Sequence, residues 1–141
     1  MSTVKQFAPG FVAILVCASL SGYSSLASSA EVTLSGSQEV PPVTTSAKGN
    51  GTITVGSDKS VSGKVSTSGV EGVAAHIHTG AAGKNGPVII PLTKGAGGEW
   101  SVPPGAKLTD DQYKSYQAGD LYVNVHSAAN KGGEIRGQLK P

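Results

Sequence analysis

A chain of 141 residues with 11 basic and 9 acidic side chains is long enough for one domain, and its charges are too evenly spread for a nucleic-acid-binding stripe. A single cysteine excludes an internal disulfide framework. Twenty glycines and eight prolines suit a loop-rich β protein. At the N-terminus, MSTVKQFAPGFVAILVCASLSGYSSLASSA opens with a short stretch holding Lys5, continues with an apolar run from Phe11 to Leu20, and closes with small residues ending at Ala30. This is the layout of a secretory signal peptide, with an apolar run too short to span a bilayer comfortably. Cleavage after Ala30 starts the mature chain at Glu31 and removes Cys17. Cys17 does not fit a lipidation site, because bulky Val16 precedes it. The expected product is periplasmic or secreted, with no membrane segment once the leader is gone.

From Glu31 onward, short alternating runs are broken by glycine. EVTLS, GTITVG, SVSGKVST, VAAHIHT, PVIIPL, GEWSV, LYVNVHS and GEIRGQL all read as strands. They predict an all-β fold: an antiparallel, Greek-key-like β-sandwich of about eight strands with one short surface helix. EVPPVTTSAKGNG (39–51) reads as an extended connection, since Pro41-Pro42 disfavours a central strand. In KLTDDQYKSYQAGD, Thr109 is the expected N-cap, Gln112 the capping-box partner and Gly119 the stop, giving a helix over 110–118. Trp100, the only tryptophan, is expected to pack in or beside the core.

The chain has three histidines, and all fall in strand-like segments. Side chains alternate across a strand. Val73, Ala75 and Ile77 therefore share one face, and Ala74, His76 and His78 the other. In LYVNVHS, Leu121, Val123 and Val125 oppose Tyr122, Asn124 and His126. With the apolar faces inward, His76, His78 and His126 all point away from the core. Two imidazoles at i and i+2, with a third from a neighbouring strand, can converge on one metal ion and leave room for another ligand. Three histidines suit zinc, but copper binds imidazole more tightly. With none of the three in the core, replacing them should cost the fold little. In the last strand, Glu134, Arg136 and Gln138 fall on the histidine side. A hairpin places Glu134 opposite His126, where it could orient the ring or ligate the ion, and Arg136 opposite Asn124. The competing reading of Glu134 and Arg136 is a solvated surface ion pair.

LSGSQEVPPV, AAHIHTGAAGKNGPVIIPL and GDLYVNVHSAANKGGEIRGQL resemble the blocks of the chordin-type, or CHRD, domain over Val32 to Leu139, so that 31–141 forms one CHRD domain after the leader. The resemblance implies an all-β domain without fixing a role. It is found in an animal growth-factor antagonist and in stand-alone secreted bacterial proteins. A second, local resemblance links AHIHTGAAG and the later VNVH to the copper-zinc superoxide dismutases. It implies copper ligation by His76, His78 and His126, with Arg136 standing in for the arginine that draws the anion in. No histidine remains for a bridging ligand or a zinc subsite, so a copper-only site is the version that survives.

Three functions follow in order of preference. The first is copper-dependent superoxide dismutation, with Arg136 as the catalytic cation, Lys84 or Lys131 steering the small anionic substrate, and the glycines of TGAAGKNG letting their loop pass close to the ion. The second is a non-enzymatic metal- or protein-binding module. The third is a zinc hydrolase or hydratase, with support from the three histidines alone.

Overall fold

The computed structural model describes residues 26–141. Period-two alternation governs its strands. In β1 (Ala27–Ser35), Ala30, Val32 and Leu34 are buried while Ser29, Glu31 and Thr33 are exposed. β2 (Lys48–Gly56) and β3 (Val61–Ser68) continue an antiparallel meander from β1. Then come β4 (Gly72–Thr79), β5 (Val88–Pro91), β6 (Thr93–Lys94), β7 (Glu99–Ser101), α1 (Asp110–Gln117), β8 (Leu121–Ser127) and β9 (Ile135–Leu139). β2 starts at Lys48, earlier than the run GTITVG suggests, so the connection after β1 is shorter than expected.

These strands form one sheet in the order β5-β4-β8-β9-β1-β2-β3-β7-β6, with antiparallel pairing throughout. The sheet curls until its ends approach each other. Leu92 N–H donates to the Ala75 carbonyl at 2.9 Å, and Lys94 Nζ donates to the Gly72 carbonyl at 2.7 Å. The all-β expectation holds, with a nearly closed sheet of nine strands; the strand missing from the sequence reading is β6, only two residues long. Gly137 lets β9 pass close to β1, since a Cβ there would lie 2.5 Å from the Thr33 carbonyl oxygen. Inside the curl sit Val32, Leu34, Ile53, Val65, Ile77, Val123 and Ile135, with Trp100 among them at 2% exposure, as its composition predicts.

α1 forms as its capping signals require. The Gln112 N–H donates to Thr109 Oγ1 at 3.2 Å, the Gln112 side chain accepts from Thr109 N–H at 2.9 Å, and Gly119 ends the run at φ +79°. The helix docks through Tyr116, which is buried and donates its hydroxyl to the Ser28 carbonyl at 3.2 Å. One face assignment needs correction. Val73 was expected inside but is 62% exposed. The β4–β8 ladder steps from Gly72↔Ser127 to Ala74↔His126, so Val73 is an unpaired bulge residue that turns outward.

The expected leader lies mostly outside the described residues, Cys17 and the Phe11–Leu20 run included. Its last residues do not: Ala27 to Ala30 pair with Gly56 to Ile53, and Ala30 is 1% exposed. No helix among the described residues is long and apolar enough to cross a membrane. A chain beginning at Glu31 is expected to be less stable than one beginning at Leu26, by about 2–4 kcal/mol at about 1 kcal/mol per lost hydrogen bond plus the lost burial. Urea unfolding of the two chains checks this, and equal midpoints would show that the segment contributes nothing.

Candidate metal centre

The register of three neighbouring strands sets out the outer face of the sheet. Between β4 and β8, Ala74 lies opposite His126, His76 opposite Asn124, and His78 opposite Tyr122. On the far side of β8, Asn124 faces Arg136 and Tyr122 faces Gln138. The three histidines thus come together as expected, with one ring nitrogen from each lying within 4.8 Å of the others. His76 Nδ1 and His126 Nε2 are 3.0 Å apart.

Backbone carbonyls orient two of the rings. His78 Nδ1 donates to the Gly86 carbonyl at 2.9 Å, and His126 Nδ1 donates to the Lys131 carbonyl at 2.8 Å. Each bond fixes the tautomer and leaves Nε2 with a lone pair, which is how ligating histidines are held. His78 Nε2 is buried and has no hydrogen-bond partner. Burial, reinforced by the charges of His126 and His78, pushes the His76 imidazole below its ordinary range. Burial also dominates at His78 and lowers it, although the Gly86 carbonyl pulls the other way. Both shifts favour the neutral form that a metal ion needs.

The outer face is not open solvent. The loop from Gly80 to Pro87 folds over it, and its neck is narrow enough that a Cβ on Gly86 would lie 1.6 Å from the Thr79 carbonyl oxygen. Gly86 N–H donates to the Tyr122 hydroxyl at 3.1 Å, and Asn85 Nδ2 donates to the Val40 carbonyl at 2.8 Å. Under this cover His78 is 7% exposed and stacks on Tyr122, with ring centroids 4.7 Å apart and planes at 7°. Replacing His78 therefore removes a packed ring, contrary to the expectation that all three histidines are structurally dispensable.

Arg136 and Glu134 also depart from expectation. Arg136 is opposite Asn124 as predicted, but it is 1% exposed. Its guanidinium lies 3.5 Å from the Tyr122 ring centroid and donates to the Ala81 carbonyl at 3.0 Å and to Gln138 Oε1 at 3.2 Å. It packs on the Tyr122 ring and clamps the covering loop, and its charge is still felt at His78. Glu134 is not a solvated ion-pair partner. Its Oε1 accepts from Ser127 Oγ at 2.8 Å and Asn130 Nδ2 at 3.1 Å, and its Oε2 accepts from Thr45 at 3.1 Å. Its carboxylate ties the β8–β9 turn to the chain before β2, while the Lys131 carbonyl takes the position beside His126 where Glu134 was expected.

The residue overlooked in the sequence is Glu39. It follows the single-turn 3₁₀ helix Gly36–Gln38 and is 4% exposed. Burial raises its carboxyl to about 7, against the opposing pull of Arg136, Asn124 and the Val40 backbone. EVPPV reads as a bare connection, and the one signal for Glu39 is its place beside Pro41-Pro42 in a stretch that resembles a CHRD block. Between pH 4.5 and about 7, the folded chain holds a proton on Glu39 that the unfolded chain releases. The stability from this proton is full below pH 4.5 and is lost as pH rises through about 7. Glu39→Gln is expected to match the metal-free parent near pH 5 and to gain on it at pH 8. Urea unfolding of both chains at the two pH values checks this, and a difference that does not change with pH would refute it.

The CHRD domain profile matches residues 30–139, from inside β1 to the end of β9, and the matched span contains all three histidines. No curated protein and no solved structure matches the chain. With the profile covering most of its length, the chain belongs to the CHRD domain family.

Proposed function

We propose that this CHRD domain is an exported copper-binding module that holds one ion per chain on His76, His78 and His126. The observation that carries this reading is the buried, unpartnered Nε2 of His78, on a ring clustered with two further imidazoles. A buried lone pair with no donor is costly unless a ligand satisfies it. A neutral three-imidazole donor set fits copper or zinc, and the Irving–Williams order favours copper. In this reading the Gly86 and Lys131 carbonyls keep two rings in the ligating tautomer, and the Tyr122 ring braces His78 from the side.

The metal-free parent is expected to take up one Cu(II) per chain in preference to Zn(II), measured by titration calorimetry and elemental analysis. Replacing all three histidines with alanine should abolish uptake. His78→Ala alone should also cost about 1–3 kcal/mol of stability, because it empties a packed position. A triple variant that binds copper as tightly as the parent would place the site elsewhere.

Dismutation of superoxide is the catalytic reading of the same site. It is favoured by the partial exposure of His76 and His126, which leaves one side of the cluster accessible to a small anion. Bound copper would supply a one-electron redox cycle. The chain supplies exposed Lys131 next to the carbonyl that holds His126, and exposed Lys84 on the covering loop. Copper-loaded parent should accelerate superoxide decay in stopped-flow measurements with free copper chelated, and Lys131→Glu should slow it and flatten its dependence on ionic strength. No acceleration by the fully loaded parent would leave the non-enzymatic binding module as the function.

A further inference from the structure

Asn124 lies at the middle of the outer face. It is directly opposite His76, two residues before His126 on the same strand, and diagonal to His78. At 2% exposure it has no access to bulk water, and its Oδ1 is buried without a hydrogen-bond partner. The orientation of its amide follows from its surroundings. Nδ2 donates to the Gly132 carbonyl at 3.4 Å. A Cβ on Gly133 would lie 2.7 Å from this nitrogen and 2.4 Å from Glu39 Oε1, so the nitrogen end faces the loop and the buried acid. The oxygen end is left without a partner, and His78 on β4 is the side chain of the cluster that Asn124 meets. Asn124 lies between His78 and Glu39 and interacts with both side chains, while Asn124 Oδ1, His78 Nε2 and Glu39 Oε1 are buried with no donor or acceptor at hydrogen-bond geometry. A neutral polar side chain buried at such a position is expensive unless its oxygen is satisfied. One nitrogen from each of the three imidazoles lies within 4.8 Å of the others, and an amide oxygen beside His78 would complete a four-donor set.

We propose that Asn124 Oδ1 is a fourth donor of the His76–His78–His126 site, with Glu39 and the Gly132 carbonyl setting the orientation of the amide. This rests on the three histidines binding a metal ion, and it goes beyond that reading by adding a donor which is not an imidazole. The role of Glu39 is positioning: it holds the nitrogen end of the amide and does not reach the ion.

The test uses the parent chain and three variants loaded with Cu(II) or Zn(II). Asn124→Leu keeps the side-chain volume and removes the oxygen. It is expected to weaken Cu(II) binding at least about tenfold, as loss of a supporting group typically does, and to change the copper hyperfine splitting in the electron paramagnetic resonance spectrum. Asn124→Asp, which returns an oxygen to the same position, should restore affinity. Glu39→Gln, still able to hold the amide, should keep the parent spectrum. A measurement on the parent alone covers the case in which Asn124→Leu fails to fold. Zn(II) loading should shift the side-chain carbonyl carbon of Asn124 in the nuclear magnetic resonance spectrum, and not those of Asn50, Asn85 and Asn130. An unshifted Asn124 carbonyl, or a folded Asn124→Leu with parental affinity and spectrum, would overturn the proposal while leaving the three-histidine site standing. Failure of the parent to bind either ion would overturn the site itself.

Discussion

The antiparallel register of β4 on β8 pairs Ile77 with Val123 inside the curled sheet, and this pairing decides where every candidate ligand goes. Because side chains alternate, fixing one inward pair fixes the neighbours outward, and a slip of one residue would send the histidines into the core. The bulge at Val73 shows how narrowly the register is kept. The chain absorbs one extra residue there, and from Ala74 onward the ladder runs without interruption through His76 and His78 to Thr79. Gly72, at the start of the bulge, lies against Trp100; a Cβ there would come within 2.7 Å of the indole. The core tryptophan and the outward histidines are thus set by the same few residues.

Above the sheet, the covering loop and the residues beneath it form a layer with little freedom. Arg136, Tyr122 and His78 stack in sequence, and hydrogen bonds from Arg136 and Gln138 hold the loop carbonyls of Ala81 and Gly80. A buried guanidinium is costly unless its donors are used, and here the protein supplies carbonyl and amide oxygens for it. The result is that the imidazoles are oriented before any ligand arrives, so little ordering is left for binding to do.

Much of this could be read from the sequence, for a definite reason. Alternation in VAAHIHT and LYVNVHS places the histidines on one face wherever the strands lie, and Thr109 with Gln112 declares the helix start through its own hydrogen bonds. What escaped depends on contacts between distant segments. Arg136 reads as a surface cation until the loop of 80–87 closes over it, and Glu134 reads as a partner for His126 until the β8–β9 turn claims its carboxylate. Glu39 is buried by residues nearly a hundred positions away, and no local pattern announces that. Closure of the sheet was equally hidden, since it rests on the two-residue strand β6, too short to leave a periodic signal.

That near-closure bears on how copies of this chain meet one another. A sheet edge is a row of unpaired backbone groups that can template pairing with another molecule. Here the terminal strands are β5, four residues ending in Pro91, and β6, two residues, and the backbone between them already donates into β4 at Ala75. The proline offers no N–H, and the short strands leave few groups in register for a neighbour. Nine strands of threonine- and valine-rich sequence would otherwise be well suited to stacking into fibrils. With their ends folded toward each other, they present little from which cross-chain β growth could start.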